Sequence, residues 1–188
     1  MPAATNRTRT LVALGLGTAF LLISFLPPWG TTRYSKPVVE AHESDADGCY
    51  DRGVCALADN DYDRAATDLS KAIEVYDKLA SSAWDEMMAE FWRPIKNRRA
   101  VFSRSNVDRL SAHAWHFREK FVKALTKRAE AYSKNGQFRE AIADYSEAIR
   151  LDRDAATYRR RAAAYRAVGD TARAELDEKQ ADFMTSSK

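Results

Sequence analysis

A short pattern of residues recurs at fixed displacements along this chain, and the recurrence restricts the folds that the chain can adopt. The pattern consists of a tyrosine, a turn residue and two alanines at helical spacing. Its two clearest copies are Tyr132, Gly136, Ala141 and Ala148, and, all at one displacement further along the chain, Tyr165, Gly169, Ala174 and Ala181. A third copy lies upstream, with Asn60, Ala65 and Ala72 in the corresponding places, again at a single common displacement. A unit repeated in this way predicts a stack of similar structural elements.

The stretch from 132 to 149 indicates what each unit is. Apolar residues follow one another at spacings of three and four from Ala141 to Ile149, which is the pattern of an amphipathic helix. Asn135 and Gly136 precede this helix and tolerate the left-handed backbone that often ends a helix. Each unit is therefore predicted to be a helix, a turn and a second helix. The apolar stripe is larger than one short helix pair can cover, so neighbouring units are expected to stack on it.

The unit resembles the tetratricopeptide repeat family, in which helical hairpins of about 34 residues stack side by side. The matching positions of the middle unit are Ala129, Tyr132, Gly136, Phe138, Ala141, Tyr145, Ala148 and Leu151. The first unit keeps Gly53, Tyr62, Ala65, Leu69 and Ala72, and the third keeps Tyr158, Tyr165, Gly169, Ala174 and Ala181. The resemblance implies an all-α solenoid of about three helical hairpins, protein partners and a non-catalytic role.

The N-terminal region carries an uncharged apolar run, residues 11–26, preceded by Arg7 and Arg9 without an acidic residue. The apolar part of a secretory signal peptide has about 7–15 residues, and a membrane-spanning helix needs about 20. When the run is extended to Trp29, it becomes longer and ends on a residue suited to the membrane interface. No cleavage pattern directly follows it. We expect an uncleaved transmembrane signal anchor at 11–29, with a cleaved signal peptide as the alternative.

The charges that flank this segment predict its orientation. Arg7, Arg9 and the terminal amine slightly outweigh Arg33 and Lys36, and the more basic flank tends to stay in the cytoplasm. The expected localisation is a bacterial inner membrane crossed once, with the repeat domain in the periplasm. The predicted segments are a cytoplasmic N-terminus (1–10), the transmembrane anchor (11–29), a linker (30–45), unit 1 (46–79), a helical insertion (80–121), unit 2 (122–155), and unit 3 with a C-terminal cap (156–188).

The displacement between the first and middle units exceeds one period of about 34 residues and leaves an insertion of about 42 residues. The insertion is either a degenerate fourth unit or an extension of both flanking helices. An apolar stripe continues to about Trp92, where Pro94 is expected to end the helix, and a second stripe begins at Val107. Ser105 followed by Asp108 predicts the start of the returning helix. We favour a long helical hairpin that extends about four turns beyond the repeats.

The tip of this predicted hairpin, residues 94–105, and the residues beside it combine aromatic and basic side chains. The candidate contact residues are Trp92, Arg93, Lys96, Arg98, Arg99 and Arg104. Such a mixture is typical of a site for an acidic protein partner or for anionic lipid headgroups. A solvated tip closed by its own aromatic residues is an equally reasonable interpretation. Nucleic acid is not expected as a partner, because the anchor places this domain outside the cytoplasm.

The resemblance also implies a concave groove, lined mainly by the first helix of each unit, as the partner-binding surface. The residues expected to face it are Tyr50, Asp51, Val54 and Leu57 in unit 1, Lys123, Thr126, Lys127, Glu130 and Lys134 in unit 2, and Arg159, Arg160, Ala163 and Arg166 in unit 3. The clustered Lys and Arg residues favour an acidic segment of a partner, because they form strong, oriented pairs with carboxylates. A solvated Arg-rich helix face is the alternative.

The formal net charge of +3 conceals a strong segregation of charge. Residues 40–90 carry 14 acidic against 4 basic residues, and residues 93–128 carry 11 basic against 2 acidic ones. This distribution permits head-to-tail self-association that salt should weaken.

Residues with catalytic or metal-binding potential are few. His113 and His116 lie three apart on a predicted helix, but no zinc signature accompanies them, so a surface or packing role is favoured. Cys49 and Cys55 are six apart on one helix and cannot bridge each other without unwinding it, and packing is their expected role. The sequence therefore predicts no enzyme, no metal and no cofactor. It favours a membrane-anchored scaffold in a cell-envelope assembly, or an accessory subunit of an integral membrane complex that docks through its anchor and insertion.

Overall fold

The computed structural model describes residues 36–96 and 103–186, and within these ranges the chain forms six α-helices and no strand. The helices are α1 (Lys36–Ala58), α2 (Tyr62–Lys96), α3 (Arg104–Lys134), α4 (Phe138–Leu151), α5 (Ala155–Ala167) and α6 (Thr171–Ser186). Each helix packs mainly on its neighbours in the chain, from α1 on α2 through to α5 on α6. The all-α class is confirmed, and this order of packing is that of a helical-hairpin solenoid.

The turns inside the three helix pairs have the predicted left-handed backbone. Asn60, Gly136 and Gly169 have φ angles of 62°, 78° and 83°. A Cβ atom at either glycine would meet no atom within 4 Å, so the backbone angle alone favours glycine there. Asn60 adopts the same angle with a side chain that accepts a hydrogen bond from the Tyr62 hydroxyl.

Small residues let the two helices of each unit approach closely. Ala129 and Ala162 are fully buried in units 2 and 3, and Gly53 has the equivalent place in unit 1. A Cβ atom on Gly53 would lie 2.6 Å from Cγ of Leu69, which is closer than contact distance. Unit 1 therefore requires glycine where the other units accommodate alanine.

An ion pair between a half-buried arginine and a buried aspartate joins the two helices of unit 2 and links them to unit 1. Arg128 on α3 donates to both carboxylate oxygens of Asp144 on α4, at 2.7 and 2.8 Å, and to the hydroxyl of Ser70 on α2, at 2.9 Å. The same three groups recur in unit 3, where Arg161 bonds Asp177 at 2.8 and 2.7 Å and Ser146 of unit 2 at 2.9 Å. We refer to these two clusters as the arginine ladder. Because each arginine reaches back to the preceding unit, the ladder fixes the stacking as well as the hairpins.

Unit 1 carries the same two residue types but not the same pair. Arg52 and Asp68 have the corresponding places, yet Arg52 is exposed and donates to Sγ of Cys49 at 3.0 Å. Asp68 is buried and lies 3.5 Å from Nζ of Lys71 and 3.9 Å from Nε of Arg64. No described helix precedes α1 to supply the serine, so the ladder begins at unit 2.

Of the two arrangements expected for the insertion, the structure has the pair of long helices. Val75 corresponds to the end of α4, but α2 continues past it to Lys96. Val122 corresponds to the start of α5, but α3 already begins at Arg104. The hairpin thus extends about five to six turns beyond the repeats, more than the four turns expected.

The ends of the long helices differ from the predicted ones. α2 runs through Pro94 to Lys96, since a proline removes only its own N–H from the helix and the next residues can remain helical. α3 begins at Arg104, and its N-cap is Ser103 rather than Ser105, because the Ser103 hydroxyl accepts from the N–H of Asn106. α1 begins at Lys36, within the segment predicted as a linker.

Candidate functional site

Three residues predicted to line the groove meet in one cavity between the first helices of units 1 and 2. Tyr50 and Asp51 of α1 face Lys123 of α3 across an open cavity of about 290 Å³. Its remaining lining residues are Asp47, Tyr76 and Lys120. The first part of the predicted groove is therefore an open, polar surface with an aromatic ring.

Lys120 is the charged centre of the wall beside this cavity. Its ammonium group lies 2.7 Å from Glu43 and 2.8 Å from both oxygens of Asp47, and the Tyr76 hydroxyl also donates to Asp47. His116 contacts the same Glu43 at 2.9 Å. We call these five residues the α1 clasp, because they hold the N-terminal half of α1 against α2 and α3.

The clasp changes the acidity of its members. Burial alone would raise the pKa of Glu43 and of Asp47, but hydrogen bonds from Lys120 and from His116 or Tyr76 outweigh it and lower both pKa values. Burial would lower the pKa of Lys120, yet its bonds to Asp47 and Glu43 raise it. Burial, together with the bond to Asp47, raises the pKa of Tyr76. Glu43, Asp47 and Lys120 are therefore charged around neutral pH, and Tyr76 is protonated.

The middle of the predicted groove is basic but largely compensated by acids. Glu130 lies 3.1 Å from Lys127 and 3.6 Å from Lys134, and Lys123 pairs with Glu119 at 2.7 Å. Burial and the two lysines act in opposite directions on the Glu130 pKa, which is lowered overall. These lysines remain partly or fully exposed, and a carboxylate of a partner would compete with Glu119 and Glu130 for them.

The third part of the predicted groove, on α5, contains three arginines, two of which form ion pairs among the described residues. Arg159 pairs with Asp182 at 3.2 Å and Arg166 pairs with Glu178. Arg160 is exposed and forms no ion pair among the described residues. Burial raises the pKa of Tyr145, while a bond with Ser133 and the charge of Arg160 lower it in part. The charge of Arg160 on α5 therefore acts on Tyr145 of α4.

Four other predicted groove residues differ in exposure. Leu57 is 5% exposed and packs with Ala56, Ala65 and Ala131, so it is a core residue rather than a groove residue. Val54 and Thr126 are half-buried, and Ala163 is exposed.

The predicted tip is described only in part. Trp92 is 43% exposed, Arg93 pairs with Glu90 at 2.7 Å, and Arg104 is exposed. Lys96 is the last residue of α2, and Arg98 and Arg99 lie outside the described residues. Large exposed aromatic side chains are concentrated on the hairpin, which carries Trp84, Phe91, Trp92 and Trp115.

A second cavity, of about 620 Å³, lies where α3 passes the end of α4. Arg118 bonds the backbone carbonyl of Leu151 at 2.8 Å and lies over the ring of Trp115 at 5.0 Å. These contacts brace the base of the hairpin against unit 2. Since Trp115 is 58% exposed, the cavity is a shallow surface rather than an enclosed site.

The described residues include no group of three or more His, Cys, Asp or Glu side chains that could hold a metal ion. His113 and His116 are both exposed, and His116 bonds Glu43. Both cysteines are free thiols on the continuous helix α1. Cys49 is half-buried but Cys55 is exposed, so packing does not account for Cys55.

Sequence reasoning missed the clasp and the ladder. The members of the clasp are separated by up to 77 residues, and no short motif joins them. The sequence does contain a pattern that indicates the ladder. Arg52, Arg128 and Arg161 each precede an aspartate of the same unit by the same interval. That spacing puts both side chains at one level of a helical hairpin.

Among the described residues, no helix has the length and hydropathy required to cross a membrane. The predicted anchor, residues 11–29, lies outside them.

Comparison with known proteins identifies one segment. Residues 122–154 match the family model described as tetratricopeptide repeat, a range within the predicted unit 2. No curated protein matches the chain. Repeats of this family generally mediate protein–protein interaction and typically act as non-catalytic scaffolds. The match identifies this segment as similar to one tetratricopeptide repeat, and the helical hairpins around it are compatible with a solenoid of such repeats.

Proposed function

We propose that this protein is a membrane-anchored, non-catalytic scaffold that binds an acidic segment of a partner protein in a cell-envelope assembly. In this proposal the segment at 11–29 crosses a bacterial inner membrane and the repeats lie in the periplasm. The groove formed by α1, α3 and α5 binds the partner. Self-association through the acidic first unit and the basic hairpin also belongs to the proposal.

The observation that carries the proposal is the polar cavity between α1 and α3, continued by the exposed cations of α3 and α5. Tyr50 offers a ring and a hydroxyl, and Lys123 offers an ammonium group on the opposite wall. Arg160 adds a guanidinium without an acidic partner among the described residues. An extended acidic segment can therefore pair with cations of units 2 and 3 while the ion pairs of the arginine ladder remain intact.

The test is a pull-down of the full-length protein from its native membranes in mild detergent. A groove variant carries Lys123→Glu, Lys127→Glu and Arg160→Glu. A matched control carries Arg139→Glu, Arg153→Glu and Lys179→Glu, which changes the net charge equally at exposed positions outside the first helices. We expect the native protein and the control to retain one partner set and the groove variant to lose it.

Partners that survive the groove reversal would contradict the groove as the binding surface. They would then favour the alternative function, an accessory subunit of an integral membrane complex that docks through the anchor and the long hairpin. The exposed aromatic residues Trp84 and Trp115 on the hairpin support that alternative. Substituting both with serine should release the partners in that case.

A further inference from the structure

We infer that the free end of the α2–α3 hairpin rests on an anionic lipid surface, so that the repeat domain meets its membrane at two points. This inference rests on the membrane anchor of the proposed function. The contact residues are Phe91, Trp92 and Arg93 at the end of α2 and Arg104 at the start of α3. We call them the hairpin foot.

The direction of α1 relative to α2 determines at which end of the domain α1 begins. Asp47 of α1 bonds Tyr76 of α2, and Gly53 lies against Leu69. The two helices are therefore antiparallel, and lower numbers on α1 lie beside higher numbers on α2. Continuing this register puts Lys36 beside about residue 86, roughly 15 Å short of the end of α2 at 1.5 Å per residue. α1 thus begins at the same end of the domain as the hairpin foot.

The segment between the predicted anchor and α1 is long enough for one membrane to meet both the anchor and the hairpin foot. Six residues, 30–35, join the predicted anchor to α1. A chain of that length spans at most about 20 Å, which exceeds the roughly 9 Å between the level of the start of α1 and that of Trp92 at 1.5 Å per residue. A membrane that holds the anchor is therefore within reach of the foot as well.

The hairpin foot combines exposed aromatic side chains with basic ones. Phe91 and Trp92 are 46% and 43% exposed, and their rings meet edge to face at 5.3 Å. Tryptophan favours the membrane–water interface, where its ring is partly buried and its N–H remains hydrated. The foot supplies two exposed cations, Arg93, which also pairs with Glu90, and Arg104. Anionic lipid attracts aromatic residues that are combined with clustered cations. An acidic protein could bind the same side chains, but its binding would not require the foot to lie at the end of the domain where the anchor is attached.

The experiment uses full-length protein reconstituted in phosphatidylcholine vesicles with or without phosphatidylglycerol, with lipids brominated near the headgroup end. Bromine quenches tryptophan fluorescence on contact. The chain has four tryptophans, so three variants each keep one, Trp29, Trp92 or Trp115, and replace the others with phenylalanine. Trp115 is the control, because it is more exposed than Trp92, at 58% against 43%, but lies about 16 Å along α3 from Arg104.

We expect strong quenching of Trp29 in both vesicles, strong quenching of Trp92 only with phosphatidylglycerol, and little quenching of Trp115. Adding Arg93→Glu and Arg104→Glu to the Trp92 protein should remove most of its quenching and leave its helix content unchanged by circular dichroism. If Trp29 is quenched and Trp92 is not, the foot does not contact lipid, whereas the membrane anchor of the proposed function is supported. Equal quenching of Trp92 and Trp115 would also overturn contact by the end of the hairpin. If neither Trp29 nor Trp92 is quenched, both the anchor and the foot are wrong.

Discussion

At the scale of single residues, one position of the repeat has two different roles. Arg128 and Arg161 bond a buried aspartate and a serine of the preceding unit, whereas Arg52 in the same place is exposed. Arg128 also lies over the ring of Tyr132 at 5.8 Å, so its burial is supported by packing as well as by charge. The residue type is shared, but the stabilisation depends on what the neighbouring helices supply.

This difference predicts unequal costs for the same substitution. Arg128→Met leaves Asp144, whose side chain is 11% exposed, without its cation, and we expect a loss of about 2–4 kcal/mol in the free energy of unfolding. Arg52→Met removes only an exposed side chain and should cost less than about 0.5 kcal/mol. Urea unfolding of the full-length protein in mild detergent, followed by circular dichroism, measures both.

The double variant Arg128→Met with Asp144→Leu provides the control for this prediction. Because it removes the unpaired carboxylate as well, it should recover most of the lost stability. Equal costs for Arg52→Met and Arg128→Met would show that the ladder contributes no more than an exposed arginine does.

At the scale of elements, α1 is held by two different kinds of contact. Its C-terminal half packs by small and apolar residues, with Gly53 against Leu69 and Leu57 in the core. Its N-terminal half is held by the clasp, through Glu43 and Asp47. Ala46 of this half is also buried in the core beside Ile73 and Tyr76, so charge adds to packing at the first turns of α1, while packing alone holds the rest.

The clasp predicts a pH dependence confined to the start of α1. The pKa values of Glu43 and Asp47 are lowered from 4.5 and 3.8 by folding, so their stabilisation is complete well above these values and is lost as the pH falls below them towards the folded-state pKa values. Amide hydrogen exchange at residues 40–47 should accelerate at acidic pH relative to residues 53–58, after correction for intrinsic rates.

The variant Lys120→Met serves as the control for the pH experiment. Without the ammonium group the residues 40–47 should exchange rapidly even near neutral pH, and acid should have little further effect. An unchanged exchange pattern in this variant would mean that packing alone holds the start of α1.

The sequence predicts those features of the helices that depend on adjacent residues, and it misses those that depend on packing between helices. The fixed displacement of the repeat and the turn residue Gly136 predicted α4, α5 and α6, because periodicity and backbone angle are properties of adjacent residues. The start of α3 was misplaced by a competing serine, Ser105 rather than Ser103. The clasp was missed because its partners meet only after three helices have packed. Within the groove, Leu57 was misassigned, since the face it presents depends on how α1 rotates against α2.

At the scale of the whole molecule, the segregated charges meet inside the fold. The acidic stretch 40–90 forms α1 and most of α2, and the basic stretch 93–128 forms most of α3, which packs along α2. The bonds of Lys120 to Glu43 and Asp47 are one result. Charge that would otherwise drive association is partly neutralised within one chain.

The hairpin lies outside the stack, which predicts that it can be shortened. The Ser70–Arg128 and Tyr76–Lys120 contacts set the register of α2 against α3. In that register residues 82–92 lie beside residues 105–115, and eleven residues make about three full turns. Deleting both segments should preserve helical phase, and hydrogen-exchange protection of residues 122–186 should stay as in the native protein. Loss of that protection would show that the hairpin supports the stack directly.

The arginine ladder also bears on the order in which the chain folds. Ser146 and Arg161 are 15 residues apart, whereas Ser70 and Arg128 are separated by 58. Because the entropy lost on closing a loop grows with its length, the contacts between units 2 and 3 can form early. Those between units 1 and 2 must wait until the long hairpin has closed. The ribosome synthesises unit 1 first, so the earliest part of the repeat domain to emerge is the last to complete its packing.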